Sequence, residues 1–427
     1  MGMNLSHIPD RETLLLQISN ANHLAWLWIA TRLAAIAALA FAIDWPTVVF
    51  APIVSVTACL VVIGPFLMSL MQIWGQQKRR FEDIKETTRF GELDKYKLQS
   101  IYTAAIQRLN IQTAKPPPGY VTNDKSLNAS ALRLGGLLGG LNGIYLNRQV
   151  LYRLSGPEIQ SVIGHELGHY FRFRLTGDRF QLLTLVLGAM VGIFVIQLVH
   201  LEGFFGFVVL AVTSSVFWMI NNASKMRYGQ TIEFLCDDYG AQLNGVEVSI
   251  SALLKLYADT ESKQLIQLEF LARCAHNPLL SPKEVLDAIQ KATPYGDVAD
   301  TEMYDTIRRD LKNRARKNQT TSVAGFLDYI RDNETDEVDH KAELEQQAKM
   351  VNQIERLDWE SILTDRNQIE LSTDQVEQLA QMILASPEKS LFQIPEIGGD
   401  GIHPPIAARI LYLWKNQNSS APLKPAI

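Results

Sequence analysis

Two histidines four residues apart flank a glutamate in the run His165-Glu166-Leu167-Gly168-His169. On a helix, residues at that spacing share one face, so both imidazoles can reach a single ion. Glu166 stands next to the first imidazole and can take a proton from a water that the ion activates. Zinc lowers the pKa of such a water to roughly 7. H-E-x-x-H on a helix is the zinc-protease signature. Two histidines satisfied by ordinary hydrogen bonds remain the plainer reading of these five residues alone.

A zinc enzyme needs three protein ligands and one open position. The segment Thr231–Gly240 offers the third ligand, because Glu233 and Asp237 are again four residues apart. Glu233 can bind the ion while Asp237 orients a ligand imidazole through its other ring nitrogen. Taken alone, carboxylates at this spacing are usually a solvated helix face. Cys236, between them, reads as helix packing.

The metal helix is independently expected over Ser155–Tyr170. Ser155 and Glu158 form an S-x-x-E capping box, with Pro157 in the first turn. Upstream, residues 75–112 read as one charged amphipathic helix, with Phe81, Ile84, Phe90, Tyr96, Leu98, Ile101 and Ile106 as its apolar positions. Tyr120–Thr122 and Gly143–Leu146 read as short strands, the second placed to pair with an extended substrate. The Gly-rich run between them is a loop without phosphate-binding spacing. Residues 222–295 read as several helices. Residues 300–390 are rich in charged and amide side chains and read as a solvated helical insertion. The tail from Asn416 reads as disordered.

Four apolar stretches interrupt this pattern, at about Leu24–Ile43, Thr47–Met71, Phe180–Val199 and Phe204–Ile220. A helix needs roughly 20 apolar residues to cross a bilayer. The second stretch carries no charge, the first carries Arg32 near its middle, and the fourth is short enough to dip in and return. Core helices of a large soluble protein are the alternative, but two pairs of such runs are an unusual core pattern. Lys78, Arg79 and Arg80 follow the second stretch, and Arg172 and Arg174 precede the third, whereas the tips at 44–46 and 200–203 hold no Lys or Arg. The positive-inside rule therefore puts both tips outside and the rest in the cytoplasm.

Composition adds exclusions. With 40 Lys+Arg against 45 Asp+Glu, the net charge of −5 argues against nucleic acid as a partner. Three scattered cysteines among 427 residues rule out a disulfide framework. The mean hydropathy of +0.01, with 20% charged residues, reflects apolar segments set among polar ones.

Together these elements resemble the HtpX-type and prenyl-protein-protease group of membrane zinc metallopeptidases. The resemblance rests on H-E-L-G-H at 165–169, a hairpin after it, and E-x-x-x-D at 233–237. It also rests on Asn128-Ala129 and on His403-Pro404-Pro405-Ile406-Ala407-Ala408-Arg409-Ile410, which is similar to the family's H-P-P-x-x-x-R-I element. The order of these elements is more specific than any one of them. Cys236 departs from the pattern, where Ala is common. The resemblance implies one zinc ion per chain, bound by His165, His169 and Glu233, with Glu166 as general base. It implies that His403 and Arg409 help hold the substrate or the developing oxyanion; read alone, they are a turn leading into a helix and a surface charge.

The expected fold is mainly α and integral to the membrane: a helical zincin-like metallopeptidase domain with a small β-sheet and two transmembrane hairpins. The expected units are an N-terminal hairpin (1–74), a catalytic part with the metal helix (75–179), a second hairpin (180–220), a part with the third ligand (221–299), the insertion (300–399) and a C-terminal catalytic element with its tail (400–427). The expected function is a zinc endopeptidase in the bacterial inner membrane, acting on membrane or membrane-proximal proteins at the cytoplasmic face in quality control. Its partners are protein substrates and the lipid bilayer, and homo-oligomerisation stays open. The alternatives are a catalytically silent membrane scaffold binding through 300–390, and a processing protease for lipidated C-termini.

Overall fold

The computed structural model describes residues 8–75, 77–113, 115–124, 126–133, 140–201, 203–274, 309–313, 354–365, 368–392 and 403–417. It is mainly helical, with a small sheet. Helix α1 (Arg11–Ala42) begins at Asp10, whose side chain accepts from Thr13 N at 2.7 Å. Its first turns bury Leu14 and Ile18 in the main core, while Leu24, Trp26, Leu27, Trp28 and Leu33 farther on are exposed. The second apolar stretch is not one helix. It breaks at Phe50–Ala51 between α2 (Trp45–Val49) and α3 (Pro52–Gly75), because Pro52 cannot donate the N–H that a continuous helix needs.

The segment expected as one helix over 75–112 is corrected to several elements. These are β1 (Lys78–Arg80), a 3-10 turn at Phe81–Asp83, a β2–β3 hairpin (Arg89–Phe90, Leu93–Asp94) and α4 (Lys95–Arg108). Phe81, Ile84 and Phe90 reach the core from extended and turn backbone, so their burial needs no helical period. Asp94 starts α4 by accepting from Lys97 N at 2.8 Å.

The two expected strands are present as parts of a four-stranded sheet of order β1-β4-β6-β5. Strands β4 (Gly119–Thr122) and β6 (Gly143–Asn147) pair in parallel, with β1 antiparallel on β4 and β5 (Ala129–Leu132) antiparallel on β6. Val121, Ile144 and Leu146 join the main core. Most of the Gly-rich run, residues 134–139, lies outside the described residues.

After α5 (Arg148–Arg153), the capping box begins α6 (Gly156–Leu167), where Glu158 accepts from Ser155 N at 2.8 Å. The helix then widens into a π turn over Gly168–Arg172. Helix α7 (Thr176–Arg179) leads to α8 (Gln181–Val199). His200, at φ 52°, and Gly203, at φ 59°, turn the chain into α9 (Gly203–Asn244), a single helix of 42 residues. The fourth apolar stretch therefore does not dip and return: it is the first part of the helix that carries Glu233. By length and composition α1, α8 and residues 203–220 of α9 could each cross a membrane, and Pro52–Gly64 is a shorter apolar stretch. Gln197 ties the two tips together, bonding Asp44 N at 3.1 Å and Asp44 O at 2.8 Å.

Helix α10 (Val246–Cys274) follows, and residues 275–308 lie outside the described residues. The expectation of a wholly solvated insertion at 300–390 is corrected in its last third. Trp359, Val376, Leu379, Ala380, Ile383, Leu391 and Phe392 are buried in the main core, four of them on the inward face of α11 (Thr373–Ala385). Spaced charges hid an apolar stripe that only packing identifies. Residues 314–353 lie outside the described residues. The last helix, α12 (Ile406–Asn416), is buried along most of its length, and Asn416, expected to open the tail, is its final residue.

Helices α6 and α9 touch at glycines. A Cβ on Gly164 would lie 2.9 Å from Gly240 Cα, and one on Gly240 would lie 2.6 Å from Ser161 O and 3.2 Å from His165 N. The hairpin of α8 and α9 closes likewise, with Gly188 and Gly192 against the backbone of Ser214 and Leu210. Gly240→Ala is expected to force α9 away from α6 and to cost about 1–3 kcal/mol. Thermal melting of the purified variant checks this, and a parent-like transition would mean that the helices have slack at this contact.

Candidate metal centre

The contact of α6 with α9 aims four side chains at one point. His165 sits in the last turn of α6, His169 in the π turn after it, and Glu233 and Asp237 one turn apart on α9. One ligand atom from each of His165, His169 and Glu233 lies within 4.8 Å of the others. The His165 and His169 Nε2 atoms are 3.0 Å apart, His165 Nε2 is 3.5 Å from Glu233 Oε2, and His169 Nε2 is 3.3 Å from Glu233 Oε1. A tetrahedral zinc with bonds of about 2.0–2.1 Å would separate its ligand atoms by roughly 3.3 Å. The three observed separations bracket that value.

Asp237 Oδ1 accepts from His165 Nδ1 at 2.9 Å. That bond assigns the proton to Nδ1 and turns the Nε2 lone pair inward, toward His169 Nε2. Two ring nitrogens facing at this distance need a proton or a cation between them. The charges agree. Burial alone would lower the His169 pKa, yet Cys236 and Glu233 beside it raise it well above the ordinary value. Burial alone would raise the Glu233 carboxyl, but His169, His165 and Arg409 hold it well below the usual range. The surroundings favour positive charge at the centre, and the residues fit a zinc ion.

Glu166 is buried at the cleft floor, and burial raises its carboxyl against the pull of the two imidazoles. A carboxylate with a raised pKa is suited to accept and return a proton. Burial raises the Cys236 thiol to about 11, so it is neutral at ordinary pH and a poor ligand. It packs against Gly168 and His169.

The C-terminal motif meets the centre in two ways. His403 Nε2 lies 3.8 Å from Glu233 Oε1 with nearly half of its side chain exposed, at the cleft's mouth. Arg409 is buried: its Nε donates to Asp237 Oδ2 at 2.6 Å and its Nη2 to Oδ1, and Nη2 stands 3.8 Å from Glu233 Oε2. Arg409 is therefore not a surface charge. It is committed to the carboxylate that orients His165.

The cleft has a volume of about 740 Å³. Residues 128–131 line one side, and Leu253, Leu256 and Tyr257 of α10 line another. This corrects the expected substrate strand. Strand β6 lies between β4 and β5, so its backbone is already paired, whereas β5 forms the sheet's edge beside the cleft. Sequence reading also missed Arg11 at the start of α1, whose guanidinium pairs with Asp238, next to Asp237. Missed too were the hydroxyl pair Ser161–Ser249 at 2.5 Å and the Lys255–Glu158 ion pair at 2.8 Å, which lock α10 onto α6. The Asp237-Asp238 doublet was the one visible signal, since two adjacent buried acids require two cationic or hydrogen-bonding partners.

Two imidazoles and a carboxylate in an open cleft, with a second glutamate at hand, form a cluster that could hold a metal ion. The chain belongs to peptidase family M48, whose model matches residues 92–305, half of its length. It is similar to the Protease HtpX of Acinetobacter baumannii strains AYE and SDF, 31% identical over 129 residues. That match covers 26% of this chain and 41% of each relative, so the chain spans less than half the length of these relatives. No solved structure matches.

Breaking the Arg409–Asp237 pair leaves a buried carboxylate uncompensated. Arg409→Met is expected to cost about 3–5 kcal/mol. Burial would raise Asp237, but Arg409 and then His165 keep it below the usual carboxylate value. The pair's contribution is thus complete above the unfolded pKa of about 3.9 and lost as pH falls through the lower folded value. In the variant that depression is lost and protonation relieves the uncompensated carboxylate, so the stability gap between parent and variant should narrow as the pH falls toward 3. Melting curves from pH 7 to pH 3 check both points, and superimposable curves would show that the pair contributes nothing.

Proposed function

We propose that this chain is a membrane-embedded zinc endopeptidase that hydrolyses peptide bonds in membrane or membrane-proximal proteins. The observation that carries the reading is the convergence of His165, His169 and Glu233 at the spacing a tetrahedral ion requires, with Glu166 beside them. The family supports it. In this reading His165, His169 and Glu233 hold one zinc ion, which when bound polarises the scissile carbonyl and makes water nucleophilic near neutral pH.

The chain's own residues do the rest. Glu166 takes the proton that the attacking water gives up and hands it to the leaving amine. Asp237 keeps the proton on His165 Nδ1, and Arg409 keeps Asp237 ionised and in place. An extended substrate lies along the β5 edge, where main-chain hydrogen bonds give affinity with little dependence on sequence. His403, at the mouth, contacts the bound peptide. Leu253, Leu256 and Tyr257 receive an apolar side chain.

The membrane setting follows from the long apolar helices, and the flanking charges favour a cytoplasmic site in the bacterial inner membrane. Only twelve positions separate His169 from the start of α8, which keeps the cleft close to the bilayer and suits quality control of membrane proteins. The scaffold alternative loses ground, because residues 357–392 contribute much of their apolar surface to the core instead of forming a charged arm.

Glu166→Gln is expected to retain the metal while peptide hydrolysis falls by about 10²–10⁴-fold. Cleavage of a model membrane protein in detergent, with and without a chelator and with metal analysis of both proteins, checks this. Equal cleavage by parent and variant would remove Glu166 from the mechanism, and chelator-insensitive cleavage would remove the metal.

A further inference from the structure

Three consecutive cations, Lys78-Arg79-Arg80, form β1 immediately after α3. The distance from Gly75, the last residue of α3, to Lys78 is at most about 10 Å along an extended chain. That is comparable to the Debye length of about 8–10 Å at physiological salt. If α3 ends at a membrane surface, these charges lie within the field of its headgroups.

Their side chains are held in a defined arrangement. Strand alternation puts Lys78 and Arg80 on one face of the sheet. On that face the Tyr120 and Tyr145 rings stack, with centroids 4.8 Å apart and planes 16° from parallel. Lys78 Nζ stands 5.6 Å and 5.3 Å from the two centroids, and the Arg80 guanidinium 5.9 Å from that of Tyr120. Lys78 Nζ is also 3.4 Å from the Tyr145 hydroxyl, which in turn donates to Leu141 O. Gly143 permits this platform, since a Cβ there would lie 2.6 Å from the Tyr120 ring. Arg79 points to the other face and is exposed.

Among the described residues none of these three cations has an ion-pair partner. Glu82 and Asp83 follow in the next turn and act on Arg80 only at a distance. Partial burial pulls the Lys78 pKa below the ordinary lysine value, so the ammonium is partly desolvated without a carboxylate to compensate it. An external anion would supply that compensation.

We propose that Lys78 and Arg80, assisted by Arg79, bind the anionic headgroup of a phospholipid at the charged end of α3. The two tyrosines pre-organise the cations, so binding needs little further ordering of the side chains. Such contacts lie beyond the general lipid affinity of apolar helices, because they select headgroup charge. The proposal rests on the reading of α3 as a membrane span.

The test uses the full chain in detergent, titrated with phosphatidylglycerol or phosphatidylcholine of identical acyl chains, with bound lipid counted by native mass spectrometry. The parent is expected to prefer phosphatidylglycerol. The K78Q/R80Q double variant should lose affinity on the order of fivefold per charge, while K97Q, an exposed lysine of α4, keeps it. A parent without headgroup preference, or a double variant that retains it, overturns the proposal. Displacement of the lipid by millimolar inorganic phosphate also overturns it, in favour of a free-phosphate site. Alkaline carbonate extraction of membranes tests the underlying reading separately: release of the parent chain would mean that α3 is no span, whatever the lipid titration gives.

Discussion

The structure depends on one close approach, that of α6 and α9 at Gly164 and Gly240. Side chains at a helix contact ordinarily keep axes 8–10 Å apart. Here the backbone of one helix touches the other, with space for no Cβ at either position. The consequence is chemical. Histidine and glutamate side chains are short, and only at this separation do residues from two helices meet at about 3.3 Å around a common point. Gly168 extends the contact to Cys236, and the π turn beginning at Gly168 sets the direction of His169.

Around that point the charges form a nested set. Glu166, Glu233 and Asp237 bring three acids into a buried volume, and Arg409 is the full positive charge among them. Arg409 hydrogen-bonds Asp237 and stands farther off, at 3.8 Å, from the inner carboxylate, which leaves Glu233 oriented toward the imidazoles. Buried acids in such number are costly without compensation. A divalent cation held between His165, His169 and Glu233 would balance them. The arrangement therefore combines an orienting pair on the outside with an electron-rich interior, and Glu166 lies buried beside it at the cleft floor.

The same helices connect the centre to the apolar part of the molecule without a joint. Helix α9 runs from the second hairpin tip to Asp237 and on to Asn244, and α1 runs from the Arg11–Asp238 pair into the first apolar stretch. Helix α10, locked to α6 by Lys255–Glu158 and Ser161–Ser249, supplies the remaining wall.

Sequence alone determined the candidate ligand residues of one helix and much of the framework that bears them. His165, Glu166 and His169 were legible because their spacing is local, and a capping box at Ser155 and Glu158 fixed the helix that bears them. The apolar runs were legible because composition alone sets their length. Sequence could propose Glu233 and Asp237 but could not weigh them, since acids four residues apart look alike in solvent and in a core. Tertiary structure decided which carboxylate faces the imidazoles, that Arg409 serves Asp237, that β5 and not β6 borders the cleft, and that Trp359 and α11 belong to the core. Each of these is a contact between residues far apart in the chain. Local spacing specifies which groups share a helix face; only packing specifies what that face meets.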